Sequence, residues 1–272
     1  MKNQFPTAIA ATLLVALILL LQPEASTAQI DTIRLKDKRL NTATLKPGMR
    51  QYLVYFQQPA SPKQVRFWLW LRETQIEDRK GEKVFVTRQN WYGSDTASYR
   101  SVYSVNRIND FSPVYHSETI AGKNRSYNWY ADHIVGSDTV KTNNTQKDFS
   151  LNFETQNFNW NLDIETFEML PLSAGKTFAI NFYDAGSGKP AYIIYKVIGS
   201  EMLKMPDNQQ VDCWMLFNES DYKGQHATQT FWISKKGHEF LKEEDVFPGG
   251  YRYKVKLPQS SFDLTKRFIV KP

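Results

Sequence analysis

"EFLKEEDVFPGGYRYKVKLP", Glu239 to Pro258, carries the pattern that decides the fold. Side chains alternate across a strand, so Glu239, Leu241, Glu243 and Asp245 share one face of the first half. Beyond the turn at Val246 to Gly250, Arg252, Lys254 and Lys256 share a face, and Tyr251, Tyr253, Val255 and Leu257 take the other. Folding back antiparallel sets Glu239, Glu243 and Asp245 against the three bases as cross-strand pairs, each contributing a few tenths of a kcal/mol to about 1 kcal/mol. The expectation is a hairpin that answers its own basic row in a solvated ladder, rather than presenting that row to an acidic partner or a lipid phosphate.

The same grammar extends through the chain. "RQYLVYF" at Arg50, "VRFWLWL" at Val65, "KVFVTRQNWY" at Lys83, "YRSVYSV" at Tyr99 and "YNWYADHIV" at Tyr127 are dominated by aromatic and β-branched residues, as strands are. "KTFAINFYD", "AYIIYKVIG", "VDCWMLFN" and "TQTFWIS" follow, separated by polar or Gly/Pro-rich stretches suited to hairpin connections. One segment breaks the pattern. In "NWNLDIETFEMLPL", Leu162, Phe167, Met169 and Leu170 share a helical face after a cap at Asn159 or Asn161, and Pro171 stops the helix. The predicted fold class is all-β and mostly antiparallel, a curved or half-open barrel or sandwich-like sheet with one short helix. The organisation expected is a signal peptide over 1–28, a β-rich half over 29–156, a connector with the short helix over 157–174 and an antiparallel sheet over 175–272.

The leader is read from Lys2, the apolar run Ala8 to Leu21, and Ser26 and Ala28 at the small-residue positions of a cleavage site before Gln29. The run falls short of the roughly 20 apolar residues that span a bilayer, which argues against an uncleaved anchor. The mature chain is therefore expected to be exported, soluble and without a transmembrane segment. Its single cysteine, Cys213, forbids an internal disulfide, so stability must come from a core that 17 Phe, 14 Tyr and 7 Trp can supply. A net charge of +6, from 34 basic and 28 acidic residues scattered along the chain, lacks the concentrated stripe that nucleic-acid binding needs.

Motifs for chemistry are tested and fail. "GHEFLKEE" offers His238 and Glu239 of a zinc-protease helix but has Lys242 where the second histidine belongs, and it lies on a strand. "GSGKP" ends like a phosphate loop, yet Tyr183 and Pro190 stand where a glycine and a Ser or Thr are required. Ser187 lacks the spacing of a nucleophile elbow. Cys213, inside an apolar strand, reads as an inert thiol, and His116, His133 and His226 read as surface or loop residues. No catalytic residue, metal ligand or cofactor is assigned, and the chain is read as something other than an enzyme.

What remains is apolarity on both faces of several strands. Phe67, Leu69 and Leu71 oppose Trp68 and Trp70; Cys213, Met215 and Phe217 oppose Trp214 and Leu216; Phe231 and Ile233 oppose Trp232. Such strands need covering on two sides, by packed layers or by a ligand or partner.

The segments "LPLSAGKTFAINFYD", "YKVIGSEML", "VDCWMLF" and "TFWISKKGHEFLKEE" resemble the bacterial exported family known as domain of unknown function 3108. The resemblance is carried by Val197, Gly199 and Glu201 in a V-x-G-x-E turn and by Trp232 to Gly237 at a W-x-S-K-x-G strand end, with "SPVYHSE" and "DHIVG" compatible in the N-terminal half. It implies a periplasmic, antiparallel, curved sheet and brings no activity, cofactor or catalytic residue. The expectation is a cell-envelope binding module that holds an apolar ligand such as a lipid acyl chain, with Trp214 and Trp232 as candidate ligand-binding residues. The alternative is a structural or assembly protein that docks another envelope protein through an aromatic surface or a sheet edge.

Overall fold

The computed structural model describes residues 29–63, 66–138, 144–222 and 224–258, so the leader expected over 1–28 lies outside the described residues. The N-terminal half supplies β1 (Ile30–Ile33), β2 (Gly48–Gln57), β3 (Arg66–Arg79), β4 (Glu82–Tyr92), β5 (Arg100–Arg107), β6 (Pro113–Ile120), β7 (Lys123–Trp129), β8 (His133–Gly136) and β9 (Ser150–Asn152). Then come β10 (Phe158–Asn159), a 3₁₀ turn at Trp160–Leu162, and the helix α1 (Asp163–Glu168). The C-terminal half adds β11 (Thr177–Tyr183), β12 (Ala191–Lys204), β13 (Gln210–Tyr222), β14 (Gln225–Ser234), β15 (Phe240–Phe247) and β16 (Gly250–Lys256).

All the strands join one sheet, in the order β1-β11-β12-β13-β14-β15-β16-β2-β3-β4-β5-β6-β7-β8-β9, with β10 also on β11. Neighbours are antiparallel except that β1 and β10 run parallel to β11. Turn chemistry sets much of the register. Lys80 and Gly81 both take positive φ, as do Ala121 and Gly122, giving two-residue turns whose twist matches the strands they join. The join between halves is made by the final strand: Tyr251 to Lys256 of β16 pair with Gln57 to Tyr52 of β2.

The sheet curls without closing on itself, and α1 lies against its inner face. Ile33, Tyr52, Trp70, Phe85, Phe178, Tyr195, Leu216, Phe231 and Phe240, drawn from strands across the sheet, form one buried cluster with Leu162, Ile164 and Phe167. The 3₁₀ turn starts where the Asn159 side chain accepts a bond from the Asn161 amide at 3.0 Å, α1 follows it directly, and the helical segment stops at Met169, ahead of Pro171. Its two sides differ. Phe167 packs on Phe231 and Tyr195 at 4.8 Å between ring centres, while Glu165 and Glu168 face β2 and β3. A helix acidic on one side and aromatic on the other thus fills a sheet whose inner face is basic on one flank and apolar on the other.

Candidate functional site

The hairpin of β15 and β16 sets acids against bases as expected, with Glu243 opposite Lys254 and Asp245 opposite Arg252, but a register shift against β14 turns Phe240 to the inner cluster and Leu241 to the outer one, so Leu241 does not share the face of Glu243. Its ladder does not face water. Glu243 is 0%, Lys254 6% and Asp245 7% exposed, because the face that carries them is the inner one, covered by α1 and the rest of the curl. Arg252 reaches Glu243 at 2.9 Å and also pairs with Asp245; Lys254 meets Glu243 at 2.5 Å; Lys256 meets Glu239 at 2.6 Å. The reason the solvated reading fails is that an alternating charged strand is outward-facing only when the opposite face holds the core, and here the acids and bases of the hairpin neutralise one another on the inner face.

These charges belong to a larger buried network. Arg72 makes paired bonds to both carboxylate oxygens of Glu165, with Nε to Oε1 at 2.9 Å. Arg50 lies 3.5 Å from Glu168 and 3.2 Å from Glu239. Burial raises Glu168 to about 7, against the pull of Arg50. Burial, then Glu243, likewise raises Asp245 to about 7, whereas Lys254 and Arg252 overcome the burial of Glu243 and hold it below the usual carboxylate range. Such a network gives little net stability, since desolvation offsets attraction, but losing one member is costly.

At the Arg252 end the network opens into a cleft of about 590 Å³. Phe56, Trp160, Ile193 and Phe247 give it apolar walls, and Asn218, Gln229, Asp245 and Arg252 give it a polar floor. The floor is organised: Gln229 donates to Asp245 at 3.0 Å, and Asn218 donates to the Ile194 carbonyl at 2.9 Å. The cleft lies at a split in the sheet. The β12–β13 ladder runs from the Lys204–Gln210 pair to the Lys196–Phe217 pair and stops, so Ala191–Tyr195 pair only with β11 and residues 218–222 only with β14. A second cleft of about 530 Å³, at the opposite end of β16, carries Lys46, Arg50 and Lys256, and Glu239 already bridges the last two. Volumes of this size are ordinary for small-ligand sites.

The two tryptophans expected to hold a ligand together lie on opposite faces. Trp214 is opposite Ile233 on the inner face, while Trp232 is opposite Met215 on the outer one, in a cluster with Leu203, Cys213 and Leu241. Each ring carries a lysine, Lys235 over Trp214 at 4.4 Å and Lys242 over Trp232 at 4.1 Å, and Trp232 Nε1 donates to Glu201 at 2.8 Å. Neither lines the cleft. The residues that do were present in the strands read from sequence, but their convergence depends on pairings distant in the chain.

His116 corrects another expectation, for it is 1% exposed rather than at the surface. The Ser104 hydroxyl and the Asn159 amide meet its Nδ1 at 3.0 and 3.1 Å, and burial, with Arg100 nearby, lowers its pKa to about 3. His133 and His226 sit beside Asp132 and Asp221 at partly or fully exposed positions. Among the described residues no group of three His, Cys, Asp or Glu side chains is placed to hold a metal, and no helix is long and apolar enough to cross a membrane. Cys213 is buried, and burial pushes its thiol up to about 12. The folded protein should therefore react with a thiol-specific disulfide reagent at least about 100-fold more slowly at pH 8 than the unfolded chain. Equal rates would show that the outer-face cluster around Trp232 opens readily.

Over 80% of this chain and 99% of the other, the fold matches the crystal structure of a beta-barrel-like protein of domain of unknown function DUF1849 from Brucella abortus, with a TM-score of 0.50 and 8% identity, a likeness of fold alone. The hypothetical lipoprotein YmcC from Escherichia coli aligns over 96% of this chain and 100% of its own at 11% identity, with a TM-score of 0.29 that carries no argument. No curated protein matches the chain. The family model described as Protein of unknown function (DUF3108) matches residues 51–256, from the strand that receives β16 to the end of β16 itself, and the chain belongs to that family.

Proposed function

We propose that the protein is an exported binding module of the cell envelope that holds an amphiphilic ligand, its apolar body against Phe56, Trp160, Ile193 and Phe247 and its polar end over Gln229, Asp245 and Arg252. The single observation that carries this reading is the cleft of about 590 Å³, which joins apolar walls to a half-buried, hydrogen-bonded polar floor. An acyl chain with a polar head has that division of chemistry. Export and the envelope rest on the leader read from the sequence and on the family resemblance, and the site moves from the tryptophans to the cleft because the tryptophans do not share a face.

Native mass spectrometry of the mature protein, recovered gently from its own envelope, tests this. The expected result is an added mass that organic extraction removes and identifies as lipid, reduced at least tenfold in occupancy by Ile193→Glu, a loss of about 1.4 kcal/mol. An unadorned mass, together with failure to bind a fluorescent fatty acid, would remove the ligand reading.

A further inference from the structure

The split between β12 and β13 is an unusual thing to leave inside a sheet. Beyond the Lys196–Phe217 pair, Ala191–Tyr195 have a partner strand on one side only, and so do residues 218–222. Two edges therefore face each other across the cleft mouth, and the Asn218 amide on the Ile194 carbonyl is the side-chain bond that spans them. Unpaired strand edges are templates for another extended backbone, and proteins commonly blunt them with charge or cover them.

We infer that this split takes an extended segment of another polypeptide, which adds a strand along one or both edges and roofs the cleft. An acyl chain cannot use peptide N–H and C=O groups along an edge, whereas a peptide backbone can. The side chains on the rim define the segment. On the solvent side, Tyr192 and Ile194 are 45% and 40% exposed beside β11, and Glu219 and Asp221 are exposed across the gap. Glu219 has no ion pair among the described residues. A Lys or Arg of the incoming strand fits that pair of walls, its aliphatic stem on Ile194 and Tyr192 and its cation toward Glu219. Alternate residues of the strand point inward to Phe56, Trp160 and Phe247 and are apolar. The partner is thus a segment alternating apolar and basic residues. This does not depend on the amphiphile reading, and because the segment uses the same walls, Phe56, Trp160 and Phe247, the two occupants exclude each other.

The test uses the mature protein after lipid extraction and an array of synthetic heptapeptides that alternate apolar residues with Lys or Glu. The expected result is that Lys-bearing peptides bind, slow amide hydrogen exchange in Ala191–Tyr195 and residues 218–222, and lose binding when proline replaces alternate residues. Glu219→Lys should weaken Lys-bearing peptides at least tenfold and strengthen Glu-bearing ones. An Ile194→Cys, Glu219→Cys double variant should bind when reduced and lose binding when a disulfide closes the split. Binding that protects other amides, binding indifferent to Glu219→Lys, or no binding by any peptide of the array would overturn the inference. Because lipid is absent throughout, each of these results is read separately from the fate of the amphiphile.

Discussion

Arg72→Met is expected to lower the stability of the fold by about 3–5 kcal/mol, and adding Glu165→Leu to it to return most of that loss. Arg72 is 3% and Glu165 1% exposed, so either one alone is a charge held away from water. The guanidinium also leans on the Gln89 side chain and the Asn161 carbonyl at 3.4 Å and stacks 4.6 Å from the Trp70 ring, so methionine keeps the packing while losing the charge. The groups left behind in the double variant are not stranded, since Gln89 already donates to the Asn161 carbonyl at 2.7 Å. Urea unfolding of the two single variants and the double decides the matter. A double variant as unstable as the singles would mean that the pair positions α1 in a way apolar side chains cannot replace.

The second expected result concerns acid. His116 has a folded pKa of about 3 against 6.5 when unfolded, so between those values the unfolded chain holds the proton that the folded chain refuses. Its contribution is present above pH 6.5 and lost at about 1.4 kcal/mol per pH unit as the pH falls toward 3. Glu168 acts in the opposite sense. Raised from 4.5 to about 7, it binds its proton first in the folded state, so its contribution is present below 4.5 and lost as the pH rises to 7. The two oppose each other from pH 4.5 to 6.5. His116→Gln isolates one of them: it should be less stable than the parent at pH 7, because the packing against Tyr127 and Asn159 is imperfect, and the difference should shrink by about 3 kcal/mol at pH 4. Parallel stability curves for the two proteins across this range would show that His116 is free to take its proton in the fold.

Much of the architecture is legible in the amino-acid sequence. Alternation and aromatic content marked the strands, Pro171 and the asparagines marked the ends of the helical segment, and the meeting of the β15 acids with the β16 bases was readable from the hairpin pattern. The direction in which that ladder points was not. Assigning inside from outside by hydrophobicity presumes an apolar interior, and here the helix brings Glu165 and Glu168 into contact with Arg72 and Arg50, so a charged face is the buried one. His116 escaped for the same reason, as one polar residue in a polar-looking strand whose partners, Ser104 and Asn159, come from elsewhere in the chain. The opposite facing of the two tryptophans was hidden in another way. Trp214 and Trp232 lie in adjacent strands, and only the register that sets each opposite a residue of the other strand reveals that they look in opposite directions. The cleft needed more still, since Phe56, Trp160 and Arg252 meet through long-range pairings that no local pattern encodes.

The place of β16 in the sheet also governs when this molecule can come into being. The strand nearest the end of the described chain pairs with β2, near its beginning, in the middle of the strand order. A chain emerging N-terminus first from a ribosome or a translocation pore therefore carries β2 with an unsatisfied edge, and Glu243 without the cations of β16, until β16 itself has appeared. Contacts of such long sequence separation close slowly. Joining the two runs of strands thus waits for β16, and a chain that lacks it keeps β2 to β9 and β11 to β15 without the strand that binds them into one sheet.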